Sequence, residues 1–202
     1  MRLRSVQAIF GFLQPQMIEA SLKELEDLPK AMAVANSYLI PYAWGPYKII
    51  VLPPSFPVGG MENPLLTFAS PSIIVGDKSS VNVANHELAH SWSGNLVTNM
   101  NWNNFWLNEG FTVFLERKIT KLLIADEKLA NLTYKVAATV GNSSMVTAMN
   151  GFGMSNSFSS LTPNAGTRNP DDAFSEVPYE KGFQLVYYLE TLVGEKLMQE
   201  WL

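Results

Sequence analysis

Five consecutive residues, His86-Glu87-Leu88-Ala89-His90, carry the most chemistry in this sequence. On a helix, residues i and i+4 lie about 40° apart around the axis, so both imidazoles can reach one ion from one face. Glu87 follows the first histidine and is aimed beside such an ion rather than at it, which suits a base acting on a metal-activated water. A catalytic zinc takes three protein ligands and keeps one position for that water. The chain has only these two histidines and no cysteine, so the third ligand must be a carboxylate. Glu109 is the candidate, 19 positions after His90 in Trp106-Leu107-Asn108-Glu109-Gly110. A lone H-E-x-x-H string also arises by chance on surface helices. Here the apolar flanks Val83, Leu88 and Trp92 and the downstream Glu109 favour one bound Zn2+. Glu116, seven residues further on, reads in two ways. It is either a partner orienting a ligating imidazole or a solvated acid beside Arg117 and Lys118.

The elements that must position these residues follow from periodicity and turn chemistry. Residues 17–36 read as one amphipathic helix with Ile18, Leu22, Leu25 and Leu28 on its stripe. A turn at Trp44-Gly45-Pro46 precedes a buried strand over 47–52 that stops at Pro53-Pro54. Residues 65–69 and 73–75 read as further short strands. The period then becomes helical over 81–92, with Asp77 or Ser79 as N-cap and Gly94 as stop. A second helix is expected from Asn104 or Asn108 to Leu123, antiparallel to the first across a turn at 98–103. Residues 141–170, rich in Gly, Ser, Asn and Pro, read as a long loop over the site. A last helix is expected from Tyr179, still running at Trp201-Leu202.

Composition bounds the class. The 202 residues are 47% hydrophobic and 16% charged, with a net charge of −4. That is a globular chain able to bury one sizeable core. With no block of like charges it lacks the basic footprint of a nucleic-acid binder. No apolar run approaches the roughly 18 residues of a membrane span. The basic start, Met1-Arg2-Leu3-Arg4, is not followed by the apolar run of a signal peptide, and a cytoplasmic location is expected. Asn131-Leu132-Thr133 and Asn142-Ser143-Ser144 match the glycosylation triplet, which short sequences often contain by chance.

Further motifs carry a resemblance. His86-Glu-x-x-His90 with Glu109 downstream, together with Gly59-Gly60-Met61-Glu62-Asn63-Pro64, resembles the gluzincin zinc aminopeptidases. Leu52-Pro53-Pro54-Ser55-Phe56-Pro57, Gly94-Asn95-Leu96-Val97-Thr98-Asn99, Phe105-Trp106-Leu107-Asn108-Glu109-Gly110 and Val177-Pro178-Tyr179-Glu180-Lys181-Gly182 resemble the leukotriene A(4) hydrolase branch of that family. The resemblance runs from about Tyr42 to Gly194 and weakens over 124–165. It implies an α+β, thermolysin-like zincin catalytic domain, mainly helical with a small sheet.

The same resemblance implies roles. Tyr179 would donate to the oxyanion formed during peptide hydrolysis. Glu62 would pair with a free α-ammonium, making the substrate a peptide with a free N-terminus. Gly59, Gly60, Met61 and Asn63 would lie along that peptide. In the leukotriene branch a lipid epoxide is a second substrate, and Asp171 falls at the position that places its second hydroxyl. Phe174 stands where that branch has a tyrosine, which keeps a ring and loses a hydroxyl. The whole of 1–202 then reads as the catalytic domain alone, without the N-terminal β-rich and C-terminal helical domains of the family. A zinc aminopeptidase is expected; the alternative is a truncated product that binds zinc or a partner without turnover.

Overall fold

A computed structural model of the chain describes residues 9–11, 15–164 and 166–202. The basic start at Met1–Arg4 lies outside the described residues. The chain divides into two compact units, Met1–Ser91 and Trp92–Leu202.

The first unit holds strand β1 (Ile9–Gly11), helices α1 (Ile18–Glu24) and α2 (Leu28–Tyr38), strands β2 (Lys48–Val51), β3 (Gly60–Met61) and β4 (Thr67–Ala69), and helix α3 (Val81–Ala89). The sheet order is β1-β2-β4-β3. β1, β2 and β4 run parallel, and β3 is antiparallel to β4 at the edge, with Gly60 opposite Ala69 and Met61 opposite Phe68. Leu25, Leu28, Met32, Ile49, Ala69, Ile73 and Leu88 form the core.

Two expectations change in this unit. The helix expected over 17–36 is two helices, because the chain turns at residues 25–27 and Pro29 restarts it in the first turn of α2, where a missing N–H costs nothing. The strand expected at 73–75 is replaced by a 3-10 turn at Pro71–Ile73. Ser70 accepts from the Ser72 amide at 3.1 Å, so a Ser cap followed by Pro starts a helical turn and overrides the β-branched run. Buried Glu24 then ties the approach to α3, accepting from the Gly76 and Lys78 amides at 2.9 Å each. Asp77 accepts from the Ser79 amide at 2.9 Å and closes this turn. The capping position itself is Ser80, without a side-chain bond.

The second unit holds α4 (Phe105–Leu123), α5 (Glu127–Phe152), α6 (Gly182–Val193) and α7 (Glu195–Trp201), with a π-helical turn at Val177–Lys181 before α6. α4 packs on both α5 and α6 around Phe114, Ile119, Tyr134, Phe183 and Val186. The loop expected over 141–170 is wrong over 141–152, since α5 continues to Phe152. Ala130, Tyr134, Ala138, Gly141 and Met149 keep a helical spacing on its buried face. Thr139, Ser143 and Thr147 each donate a hydroxyl to the carbonyl four residues back, at 2.9, 3.2 and 3.0 Å, so the polar residues serve the helix. Both glycosylation-like triplets lie inside α5. The single last helix is likewise corrected: Gly194, at φ +87, separates α6 from α7. Among the described residues no helix is long and apolar enough to cross a membrane.

Candidate active site

In the first unit α3 carries the two histidines on one side. Its last helical residue is Ala89, and His90 follows in helical conformation with its amide donating to the His86 carbonyl at 3.1 Å. The two Nε2 atoms stand 3.1 Å apart with the rings nearly perpendicular. Two nitrogens each about 2.0–2.1 Å from one tetrahedral zinc would stand roughly 3.3 Å apart. The pair therefore fits a metal ion, and His90 is buried where bulk water does not compete.

Glu87 is also buried. Its carboxylate, that of Glu62 and a ring nitrogen of His90 offer atoms that all lie within 4.8 Å of one another. Two carboxylates so close favour a cation between or beside them. Edge strand β3 lies against α3 at this point. A Cβ on Gly60 would fall 2.6 Å from Cδ and 2.7 Å from Cγ of Glu87. The absent side chain of Gly60 thus makes room for Glu87 itself. Gly59 has only an ordinary 3.5 Å approach to Val83. Its carbonyl accepts from the Ser70 amide at 2.8 Å, while the Asn63 carbonyl accepts from Leu66 at 3.1 Å. Glu62 leaves the edge of the sheet between these two anchors.

In the second unit Glu109 is buried in the first turns of α4. The preceding loop is stitched to those turns. The Asn99 amide donates to Asn108 Oδ1 at 2.9 Å, Ser93 Oγ to the Asn108 carbonyl at 3.1 Å, and Thr112 Oγ1 to the Ser93 carbonyl at 3.0 Å. Glu116 is half-buried on α4, and the two cations that follow it in sequence engage other carboxylates. Arg117 pairs with Glu180, and Lys118 is buried 2.6 Å from Glu190.

Tyr179 sits on the π-helical turn, its ring edge-to-face with Phe105 at 6.2 Å between centroids. Phe105 in turn meets Phe174 at 5.6 Å. An apolar cavity opens beside them, lined by Trp102, Phe105, Trp106, Phe158, Phe174 and Pro178. Asp171 is exposed in the turn at Pro170–Ala173. Sequence reasoning passed over Arg117 and Glu180 as site residues, although the Glu180 carboxyl is held between two opposed influences. Burial pushes it up, and the Arg117 guanidinium pulls it down, with burial prevailing. A buried Arg–Glu pair 63 positions apart in sequence has no local signature.

The H-E-x-x-H helix with an adjoining carboxylate cluster, set beside a small sheet, defines a metallopeptidase of the zincin kind. The chain belongs to peptidase family M1, whose domain matches residues 23–202; that family implies a metal cofactor. It is 46% identical over 189 residues to leucine aminopeptidase 2 of Aspergillus clavatus, covering 93% of this chain and 30% of the relative. It is also 46% identical over 181 residues to leukotriene A-4 hydrolase of Xenopus laevis, covering 90% and 29%. Among solved structures, yeast leukotriene A4 hydrolase in complex with bestatin matches with a TM-score of 0.85 at 41% identity, covering 93% of this chain and 30% of that one. The chain therefore spans about 30% of the length of the relatives it matches.

Proposed function

We propose that this chain carries the catalytic centre of a zinc aminopeptidase, with His86, His90 and Glu109 as the zinc ligands. The observation that supports it most is the convergence of the two Nε2 atoms at 3.1 Å beside the Glu62–Glu87 carboxylates. Zinc, when bound, supplies a Lewis acid that lowers the pKa of a water and polarises a carbonyl. Glu87 takes the proton of that water and returns it to the leaving amine. Gly60 keeps the Glu87 carboxylate in place by leaving it space. Glu62 holds the substrate's α-ammonium, so that only a chain end with a free amine is oriented for attack. The outer edge of β3 accepts the peptide backbone as an added strand, with Gly59, Gly60, Met61 and Asn63 along it. Tyr179 donates its hydroxyl to the developing oxyanion.

A second substrate class, a lipid epoxide, is favoured by the apolar cavity flanked by Phe174 and Pro178. Asp171 would place the second hydroxyl there, and Phe174 closes the wall without a hydrogen bond. The primary reading is tested by metal analysis of the purified chain and by hydrolysis of leucine p-nitroanilide, with and without bestatin. One zinc per chain with bestatin-sensitive turnover is expected. Zinc without turnover favours the truncated, non-catalytic alternative. Glu62→Ala should lower turnover of free-amine substrates, and an equal loss on N-acetylated substrates overturns its ammonium role.

A further inference from the structure

Tyr179 stands on a backbone turn that a helix does not adopt by default. Val177–Lys181 is π-helical, a wider turn that appears as isolated bulges and needs support from its surroundings. Three contacts supply that support within the second unit. Gly182, the first residue of α6, touches α4 backbone to backbone: a Cβ there would fall 2.8 Å from Gly110 Cα and 3.1 Å from the Trp106 carbonyl. Lys181 Nζ donates to the Ser159 carbonyl at 2.7 Å. Glu180, next to Tyr179, receives both arms of the Arg117 guanidinium at 3.0 and 2.6 Å.

The third contact has features the first two lack. Both side chains are nearly buried, at 11% and 10% exposure. The guanidinium also lies 4.1 Å over the Phe183 ring. α5 is opened to admit the carboxylate, because a Cβ on Gly141 would fall within 2.6 Å of Glu180 Oε1. Burying such a pair is a poor way to add stability, since an apolar pair of the same volume often does as well or better. What the pair does provide is a planar, two-bond geometry that fixes direction. Adjacent residues on one turn share its rotation. Anchoring Glu180 to α4 and α5 therefore sets where the Tyr179 ring points, with Phe105 on its other side.

We infer that Arg117 and Glu180, with Gly141 leaving them room, are positioning residues that aim the Tyr179 hydroxyl. This rests on the proposed role of Tyr179, and the test separates the two. 3-Fluorotyrosine is placed at position 179 of the full 202-residue chain and its 19F resonance is followed. Glu180→Gln, Arg117→Lys and Gly141→Ala should each shift or split that resonance. Lys118→Met, which breaks a different buried pair of α4, should leave it in place while lowering the melting temperature. A resonance unmoved by Arg117→Lys, the mildest of the three, overturns the inference whether or not the chain turns over substrate. So does a Lys118→Met shift as large as that of Glu180→Gln.

Kinetics add the second readout. Glu180→Gln should lower kcat on leucine p-nitroanilide about 10–100-fold with KM nearly unchanged, the scale expected of a misplaced catalytic group. In a Tyr179→Phe background the same change should add less than about twofold, because there is no hydroxyl left to aim. Full additivity overturns the inference. If Tyr179→Phe alone leaves kcat unchanged, the assigned role of Tyr179 falls, and the 19F result still decides whether the pair aims the ring.

Discussion

Glu87 has little freedom of movement. Gly60 on β3 comes so close that even a methyl group would meet its Cγ and Cδ, and the side chain is buried beside His90 and Glu62. A general base contributes about 10²–10⁴-fold to such a reaction. With Glu87 as the proposed base, Glu87→Gln should lower kcat by that factor while metal analysis still finds one zinc, because the proposed ligands are untouched. Activity surviving the change would remove Glu87 from the role of base. Gly60→Ala tests the positioning separately. The new Cβ must displace the carboxylate or the strand, so kcat should fall about 10²-fold, again with zinc retained. Lost zinc in that variant would mean that β3 supports the histidines instead. The convergence of His86 and His90 was legible from spacing, since side-chain geometry along one helix is local. The reason for Gly60 was not, because it depends on a contact with a residue 27 positions away.

Elements were legible where one signal dominated. α3 and α4 carry strong apolar periodicity and appear close to their expected bounds. α5 was misread at its C-terminal half because Gly141, Asn142, Ser143 and Ser144 are turn-favouring as individual residues. Packing decides otherwise: Gly141 is needed small beside Glu180, and the hydroxyls bond back along the helix. Propensity was overridden by tertiary contact. The same unit contains the Lys118–Glu190 pair, 2.6 Å apart with side chains 3% and 4% exposed, which joins α4 to α6. Removing one partner leaves a buried charge unpaired, so Lys118→Met should destabilise the fold by about 3–5 kcal/mol. Replacing both, as Lys118→Met with Glu190→Leu, should cost much less. Urea unfolding of the two variants compares them directly, and equal losses would show that the lysine acts through its packed stem.

At the scale of the whole molecule, the chain exposes large apolar side chains on its second unit, among them Leu132, Val140, Leu192 and Trp201 at 58%, 59%, 63% and 69%. Exposed apolar surface of this kind adds nothing to stability, and the proposed zinc would supply a separate stabilising contribution that can be measured. A ligand that binds the folded state alone stabilises it by RT ln(1 + [L]/Kd), about 2.7 kcal/mol at a hundredfold excess over Kd. Chelation should accordingly lower the melting temperature by several degrees, and zinc added back should restore it in proportion to the logarithm of its free concentration. His86→Ala removes one of the two converging nitrogens and should abolish that dependence without a comparable loss in the metal-free melting temperature, since His86 is only half-buried. Glu87→Gln should keep the dependence intact. The pair of variants thus separates holding the metal from using it. A melting temperature indifferent to zinc in the unaltered chain would remove the metal from the fold's energetics and with it the proposed ligand set.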